Sequence, residues 1–255
     1  MGDAVLFEAR DDGIAVITLN RPESRNCLAR DVREGLYAAW DRFERDSRLR
    51  VAVLTGSGQK AFCAGGDLKE MVEQGLREPP RDMFPLPYDT VELSKPTIAA
   101  VNGAAFAGGW MLAQACDLCV ASTTATFAIS EVKVGRSSPW ASPLIHMIPQ
   151  RIMMELLLTG RPITAQRAYE IGLVNRVSDP ETLMGTALDL ARDILAGAPL
   201  SVQAARETVM LATEMGRSAA LKAARHASEL CYNSEDAQEG PRAFAEKRPP
   251  QWKGR

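Results

Sequence analysis

The chain has 255 residues, 46% of them hydrophobic and 24% charged. That is enough for one large domain or two small ones, and a net charge of −2 supplies no general attraction for nucleic acid or an anionic membrane surface. Only His146 and His226 are available for a multi-histidine metal site, so none is expected; the odd set of five cysteines (Cys27, Cys63, Cys116, Cys119, Cys231) suits reduced thiols in a cytoplasmic setting rather than a disulfide framework.

The opening MGDAVLFEARDDG lacks a basic segment followed by an apolar run, and Leu6 stands where a myristoylated Gly2 would need Ser or Thr four residues on. Val5 to Glu8 and Ile14 to Leu19 flank a turn ending in Gly13 and predict a hairpin. Val32, Leu36, Trp40 and Phe43 recur at helical spacing, so a helix is expected from about Ala29. A short apolar strand from Val51 to Thr55 leads through Gly56 and Gly58 to AFCAGGDLKEM, a glycine turn entering a helix. Five prolines between residues 76 and 96 predict a mobile loop, followed by a short helix ending before Pro96.

The longest apolar stretch, Thr97 to Ala121, is interrupted by Asn102-Gly103, Gly108-Gly109 and Asp117. It therefore reads as strand, turn, helix and strand rather than a membrane span. Asp117 to Ser122 closes it as a strand. Leu183, Ala187, Leu190, Ala191 and Ile194 form an apolar helical stripe. Ala219 to Cys231 predicts a further helix, and Ser234 caps a last one that Gly240-Pro241 restarts. The expected class is α/β, with residues 1–195 forming the core and 196–255 a helical C-terminal region.

Cys63-Ala-Gly-Gly-Asp67 and Phe106-Ala-Gly-Gly-Trp110 each end a strand in small residues and begin a helix. Two such helix starts aimed at one spot would form an oxyanion hole, since their first N–H groups lack internal partners. The alternative is two tight turns chosen for packing, and spacing alone favours it. In Ala125 to Glu131, strand alternation would place Phe127, Ile129 and Glu131 on one apolar face, raising the carboxyl pKa; if alternation stops earlier, Glu131 is an ordinary surface residue. Asp67 and Asp117 are expected as caps. Cys116 and Cys119 are expected as buried structural thiols, and His146 as a core or interface residue.

Taken in order, Asn20-Arg-Pro22, Asn26-Cys-Leu28, Lys60-Ala-Phe-Cys-Ala-Gly-Gly-Asp-Leu-Lys69, Lys95-Pro-Thr-Ile-Ala-Ala-Val-Asn-Gly103, Ala107-Gly-Gly109, Leu158 to Ala165 and Gly172 to Asn175 resemble the crotonase superfamily, the enoyl-CoA hydratase/isomerase family. Glu239 to Arg248 resembles its carnitinyl-CoA dehydratase-like branch. The resemblance covers nearly the whole chain and shifts the reading of the glycine turns towards chemistry.

It implies a crotonase-type ββα spiral with a C-terminal trimerisation region, assembled as a homotrimer or a dimer of trimers. The implied substrate is an acyl-CoA, with coenzyme A part of the substrate and no separate cofactor, metal, nucleic acid or membrane partner. By position, Gly66 and Gly108 carry the oxyanion-hole amides and Glu131 is the acid/base. Arg25, Cys27 and Leu28, with Ala61, Ala64, Asp67 and Leu68, line the CoA path, and Phe244 and Lys247 approach the adenosine end from a neighbouring subunit. Hydratases of the family carry a further glutamate where this chain has Met111, and a thioether neither takes nor gives a proton at pH 7. The segment after Glu131 also departs from the glycine-rich pattern: Arg136, Ser137, Ser138 and Trp140 reshape the acyl pocket or substitute for the missing acid. The implied reaction is hydration or isomerisation of an enoyl-CoA through a thioester enolate. Thioester hydrolysis, decarboxylation, C–C cleavage and non-catalytic acyl-CoA binding are the alternatives.

Overall fold

The computed structural model describes residues 3–255; Gly2, where the sequence lacks an acylation signal, lies outside them. In chain order the elements are β1 (Val5–Ala9), β2 (Ile14–Leu19), α1 (Arg30–Arg45), β3 (Val51–Gly56), β4 (Ala61–Cys63), α2 (Leu68–Glu73), β5 (Thr97–Val101), β6 (Ala104–Phe106), α3 (Gly108–Ala115), β7 (Leu118–Ser122) and β8 (Thr126–Ala128). They continue with α4 (Gln150–Thr159), β9 (Ile163–Thr164), α5 (Ala165–Glu170), β10 (Arg176–Ser178), α6 (Leu183–Leu195), α7 (Pro199–Glu214), α8 (Arg217–Ala227), α9 (Glu229–Tyr232) and α10 (Asp236–Ala245).

The strand pairs β3–β4, β5–β6 and β7–β8 each send their first strand to one sheet and their second to another. The larger sheet runs β1-β2-β3-β5-β7-β10 and the smaller β4-β6-β8-β9. Apart from the antiparallel pairs at β1–β2 and β8–β9, the neighbours are parallel. Each turn of the spiral thus stacks on the last, as parallel strands with helical crossovers require.

Side-chain alternation gives the larger sheet two apolar faces. Val51, Val53, Ile98, Ala100 and Val120 pack against Leu183, Ala187 and Ala191 of α6. Ala52, Leu54, Ala99 and Val101 face the main core, where α1 inserts Val32, Leu36, Trp40 and Phe43, all fully buried. Each such side chain contributes roughly 1.5–3 kcal/mol by leaving water. α1 ends where Lys95 Nζ donates to the carbonyls of Phe43, Glu44 and Asp46 at 2.8–2.9 Å, satisfying acceptors that the helix leaves open.

Several expectations need correction. No α-helix lies between α2 and Pro96; residues 76–96 contain a short 3₁₀ turn at Arg81–Met83 and a bridge between Pro87 and Val91. The prolines remove backbone donors that a helix would use, and the Leu86 carbonyl instead accepts from Asp89, Thr90 and Val91. This loop is tied down, with Tyr88 Oη donating to Asp117 Oδ1 at 2.5 Å.

Asp117 caps no helix. It also accepts from Thr97 N–H and Oγ1 at 2.8 and 2.9 Å and pairs with Arg206 of α7 at 2.8 Å, joining the loop, the sheet and the C-terminal helices. The expected helix over Ala219 to Cys231 breaks at Ser228. Ser234 Oγ accepts from Ala237 N–H as a cap, yet α10 then runs through Pro241 without restarting. His146 is exposed on the chain, outside its core. No helix among the described residues is long and apolar enough to cross a membrane.

Candidate active site

Two turns meet beside the main core. The first leaves β4 at Cys63 and passes through Gly65 at φ +100°, a conformation that L side chains rarely adopt. Leu28 N–H donates to Gly65 O at 2.8 Å and Ala64 N–H donates to Arg25 O at 3.0 Å, so the segment 25–28 runs alongside the turn. Asp67 then accepts from Lys69 and Glu70 N–H at 3.0 and 3.3 Å and caps α2, as expected of it. The second turn leaves β6 at Phe106 and holds Ala107 at φ +49°, a strained state for a residue with a Cβ. It is fixed by Ala107 N–H donating to Ala128 O at 2.8 Å and by Met111 N–H donating to Ala107 O at 3.0 Å.

The approach of the two turns depends on missing side chains. A Cβ on Gly109 would lie 1.9 Å from the Cys63 carbonyl oxygen, so only glycine lets α3 reach β4. A Cβ on Gly108 would lie 3.5 Å from the Gly66 nitrogen. Among the described residues, neither the Gly66 nor the Gly108 N–H has an acceptor. Two such donors side by side can hold one oxygen on which negative charge develops.

Glu131 opens a 3₁₀ turn, Glu131–Val134, after β8 has already ended at Ala128. Strand alternation therefore stops before it, but it is no ordinary surface carboxylate. Trp140 Nε1 donates to its Oε1 at 2.9 Å, and its Oε2 is buried without a partner. Burial pushes its pKa above the usual carboxylate range, opposed by smaller effects from its own backbone N–H, Trp140 and Ser138. No salt bridge among the described residues involves it. Trp140 lies in a second 3₁₀ segment, Pro139–His146, and its carbonyl accepts from Gln114 Nε2 at 3.1 Å. Arg136 donates to the carbonyls of Leu76 and Arg77 at 2.7 and 3.2 Å, joining the segment after Glu131 to the start of the loop that follows α2. Met111 is 4% exposed on α3.

Most of the expected site residues gather here. Leu28 is buried under Gly108, Cys27 is half-buried with Sγ 3.5 Å from Asp67 Oδ2, and Leu68 is exposed at the start of α2. Arg25 is exposed, and with Ala61 it lines a surface cavity of about 360 Å³ that Lys60 also borders. Phe244 and Lys247 do not join the group within one chain. Both are exposed, Phe244 by 88%, on and just beyond α10.

Two contributors were not singled out from sequence. Asn26, fully buried, accepts from Arg21 N–H at 2.9 Å and donates to the Ser57 and Ala61 carbonyls at 3.0 and 2.9 Å, which fixes the segment 25–28. Its signal was its place in the Asn26-Cys-Leu28 motif. Gln114 falls one helical turn after Met111, and that spacing was its signal. The three buried thiols offer no competing chemistry: burial pushes Cys63 and Cys119 up to about 12 and raises Cys116 as well. Among the described residues no cluster suits a metal ion.

The sequence profile described as enoyl-CoA hydratase/isomerase matches residues 9–255. The chain belongs to that family. Carnitinyl-CoA dehydratase of Citrobacter koseri is 41% identical over 269 aligned positions, covering 100% of both chains. (E)-benzylidenesuccinyl-CoA hydratase of Thauera aromatica is 38% identical over 253, covering 94% of this chain and 96% of that protein. The crystal structure of enoyl-CoA hydratase from Mycobacterium tuberculosis superimposes with a TM-score of 0.91 at 39% identity, covering 100% of both chains. Membership places the protein among the acyl-CoA thioester enzymes of the crotonase superfamily and accounts for the ββα spiral.

Proposed function

We propose that the protein adds water to, or removes it from, an acyl-CoA through a thioester enolate held by the Gly66 and Gly108 amides, with Glu131 as its acid/base. The observation that carries this is the approach of those two acceptor-free N–H groups across the Gly65 and Ala107 turns. Charge moves onto the thioester oxygen as the enolate forms, and donors fixed there stabilise it without reorganising. A carboxyl kept out of water, with its pKa raised towards neutrality, suits both removal and return of a proton at the α carbon. The names of the Citrobacter and Thauera relatives favour hydration and its reverse within this chemistry.

In this reading the pantetheine and nucleotide follow Arg25, Cys27 and Leu28 past Ala61, Ala64, Asp67 and Leu68, with the cavity beside Arg25 and Lys60 supplying positive charge for the phosphates. Met111 and Trp140 border the acyl group. Val209, Leu221, Leu230, Tyr232 and Phe244 are exposed apolar residues of the C-terminal helices, which supports their covering by further copies in a trimer or dimer of trimers. Phe244 and Lys247 then serve a neighbouring copy's CoA.

The test is a parallel assay of purified protein with straight-chain 2-enoyl- and 3-enoyl-CoA. Chromatography with mass detection is expected to show hydration as a gain of one water, and any double-bond isomerisation, which leaves the mass unchanged, as a shift in retention; both are lost in Glu131→Gln. Hydrolysis to free CoA as the sole reaction, or turnover that survives Glu131→Gln, contradicts the proposal.

Trp140→Phe probes the same carboxyl. The indole N–H favours its ionised form, so the variant's Glu131 titrates higher than the wild type's. The acid limb of the kcat/KM–pH profile is expected to move to higher pH, with the alkaline limb unmoved.

A further inference from the structure

Two buried acceptor oxygens in this site complete no hydrogen bond within the chain, Glu131 Oε2 and Gln114 Oε1, although the Ser138 hydroxyl lies near enough to the Glu131 carboxyl to favour its ionised form. Buried polar atoms are nearly always paired, so an unpaired one needs a reason. Both belong to one chain of contacts: Gln114 Nε2 to the Trp140 carbonyl at 3.1 Å, and Trp140 Nε1 to Glu131 Oε1 at 2.9 Å. The Gln114 amide orientation follows, because only its nitrogen can donate to a carbonyl. Its oxygen is left over on the same helical face as Met111, one turn on. A water molecule has two O–H donors, the number these two oxygens require.

We infer that Gln114 is a positioning residue for hydration, its side-chain oxygen accepting one O–H of the water whose other proton goes to Glu131. This rests on the enolate reading above. In the hydration direction, the O–H bond facing Glu131 breaks and its proton passes to Oε2, while the water oxygen bonds to the β carbon. The electron pair of the double bond moves through the α carbon onto the thioester oxygen between the Gly66 and Gly108 amides. Glu131 then returns its proton to the α carbon, and the thioester carbonyl re-forms. The water's second proton remains on the new hydroxyl, still donating to Gln114 Oε1. Orientation requires an acceptor and not a second acid, so an amide serves where Met111 cannot.

The experiment compares two reactions of the same protein. Exchange of the α protons of a saturated acyl-CoA in deuterium oxide needs Glu131 and the oxyanion hole but adds no water; hydration of a 2-enoyl-CoA needs the water held as well. Gln114→Met, close in volume and a good helix former, is expected to lower the ratio of hydration to exchange about 10²-fold, the scale of a misplaced reactant. Continued exchange shows that the variant is folded with Glu131 in place. Gln114→Glu keeps an acceptor for the water but loses the donor to the Trp140 carbonyl, so it is expected to recover only part of the ratio.

An unchanged ratio in Gln114→Met, or equal loss of both reactions in both variants, overturns the inference. So does a wild-type protein that exchanges α protons and adds no water. The unpartnered indole N–H of Trp110, one turn earlier on α3, is the other donor able to face Gln114. A Trp110→Phe variant that lowers the ratio as far as Gln114→Met would give Gln114 a purely structural role. Absence of both reactions from the wild type would instead fail the enolate reading itself.

Discussion

Glu131→Gln is expected to lower kcat/KM about 10²–10⁴-fold, the range for loss of a positioned acid/base. The amide keeps the shape of the carboxyl and its hydrogen bond from Trp140 Nε1, which donates at 2.9 Å in the wild type, but it carries no transferable proton. A second consequence separates this residue from a structural one. Burial raises the folded-state pKa of Glu131, so the stability linked to its proton is fully present below the ordinary carboxylate pKa and is lost as pH rises through the folded value. The glutamine variant has no such loss. Its melting temperature is expected to exceed the wild type's at pH 7, with the gain vanishing below the ordinary carboxylate range. Thermal unfolding at both pH values checks it, and a carboxyl favourably paired in the folded state would give the opposite sign.

Gly108→Ala and Gly109→Ala are expected to fail in different ways. A Cβ on Gly108 meets the Leu28 side-chain end at 2.9 Å, the Gly65 Cα at 3.4 Å and the Gly66 nitrogen at 3.5 Å. Leu28 can shift, so the chain folds, but a methyl group stands between the two free N–H groups. A loss of about 10²–10³ in kcat is expected, as for removal of one oxyanion donor. A Cβ on Gly109 meets the Cys63 carbonyl oxygen at 1.9 Å, and a strand carbonyl cannot rotate away. α3 must lift from β4, with a destabilisation of about 1–3 kcal/mol or more typical of overpacking. Urea unfolding with activity assays separates the two: Gly108→Ala stable and slow, Gly109→Ala unstable. Near-wild-type turnover by Gly108→Ala would contradict the role given to its amide.

Local pattern carried much of this architecture. The β1–β2 hairpin follows from two apolar runs around a glycine turn, and α1 from Val32, Leu36, Trp40 and Phe43 at helical spacing, because both depend on near neighbours. The glycine pairs were visible as well, but their meaning was not: Gly66 and Gly108 are 42 positions apart in sequence and meet only because the spiral stacks β4 on β6. Glu131 was reached by an alternation that the strand does not sustain. Its carboxyl is held by Trp140, nine residues on in a 3₁₀ segment that no periodicity announces. The short helix expected before Pro96 was misread for a related reason, since that segment is organised by Tyr88 donating to Asp117 of the next turn and not by local periodicity. Gln114 has a meaning only through the Trp140 carbonyl that fixes its amide.

A crystal structure with a non-reactive acyl-CoA analogue tests the central claim most directly. The thioester oxygen is expected within about 2.7–3.1 Å of both the Gly66 and Gly108 nitrogens, with the Glu131 carboxyl against the α carbon. A thioester oxygen outside hydrogen-bonding distance of both nitrogens, or a Glu131 side chain turned to solvent, would contradict it.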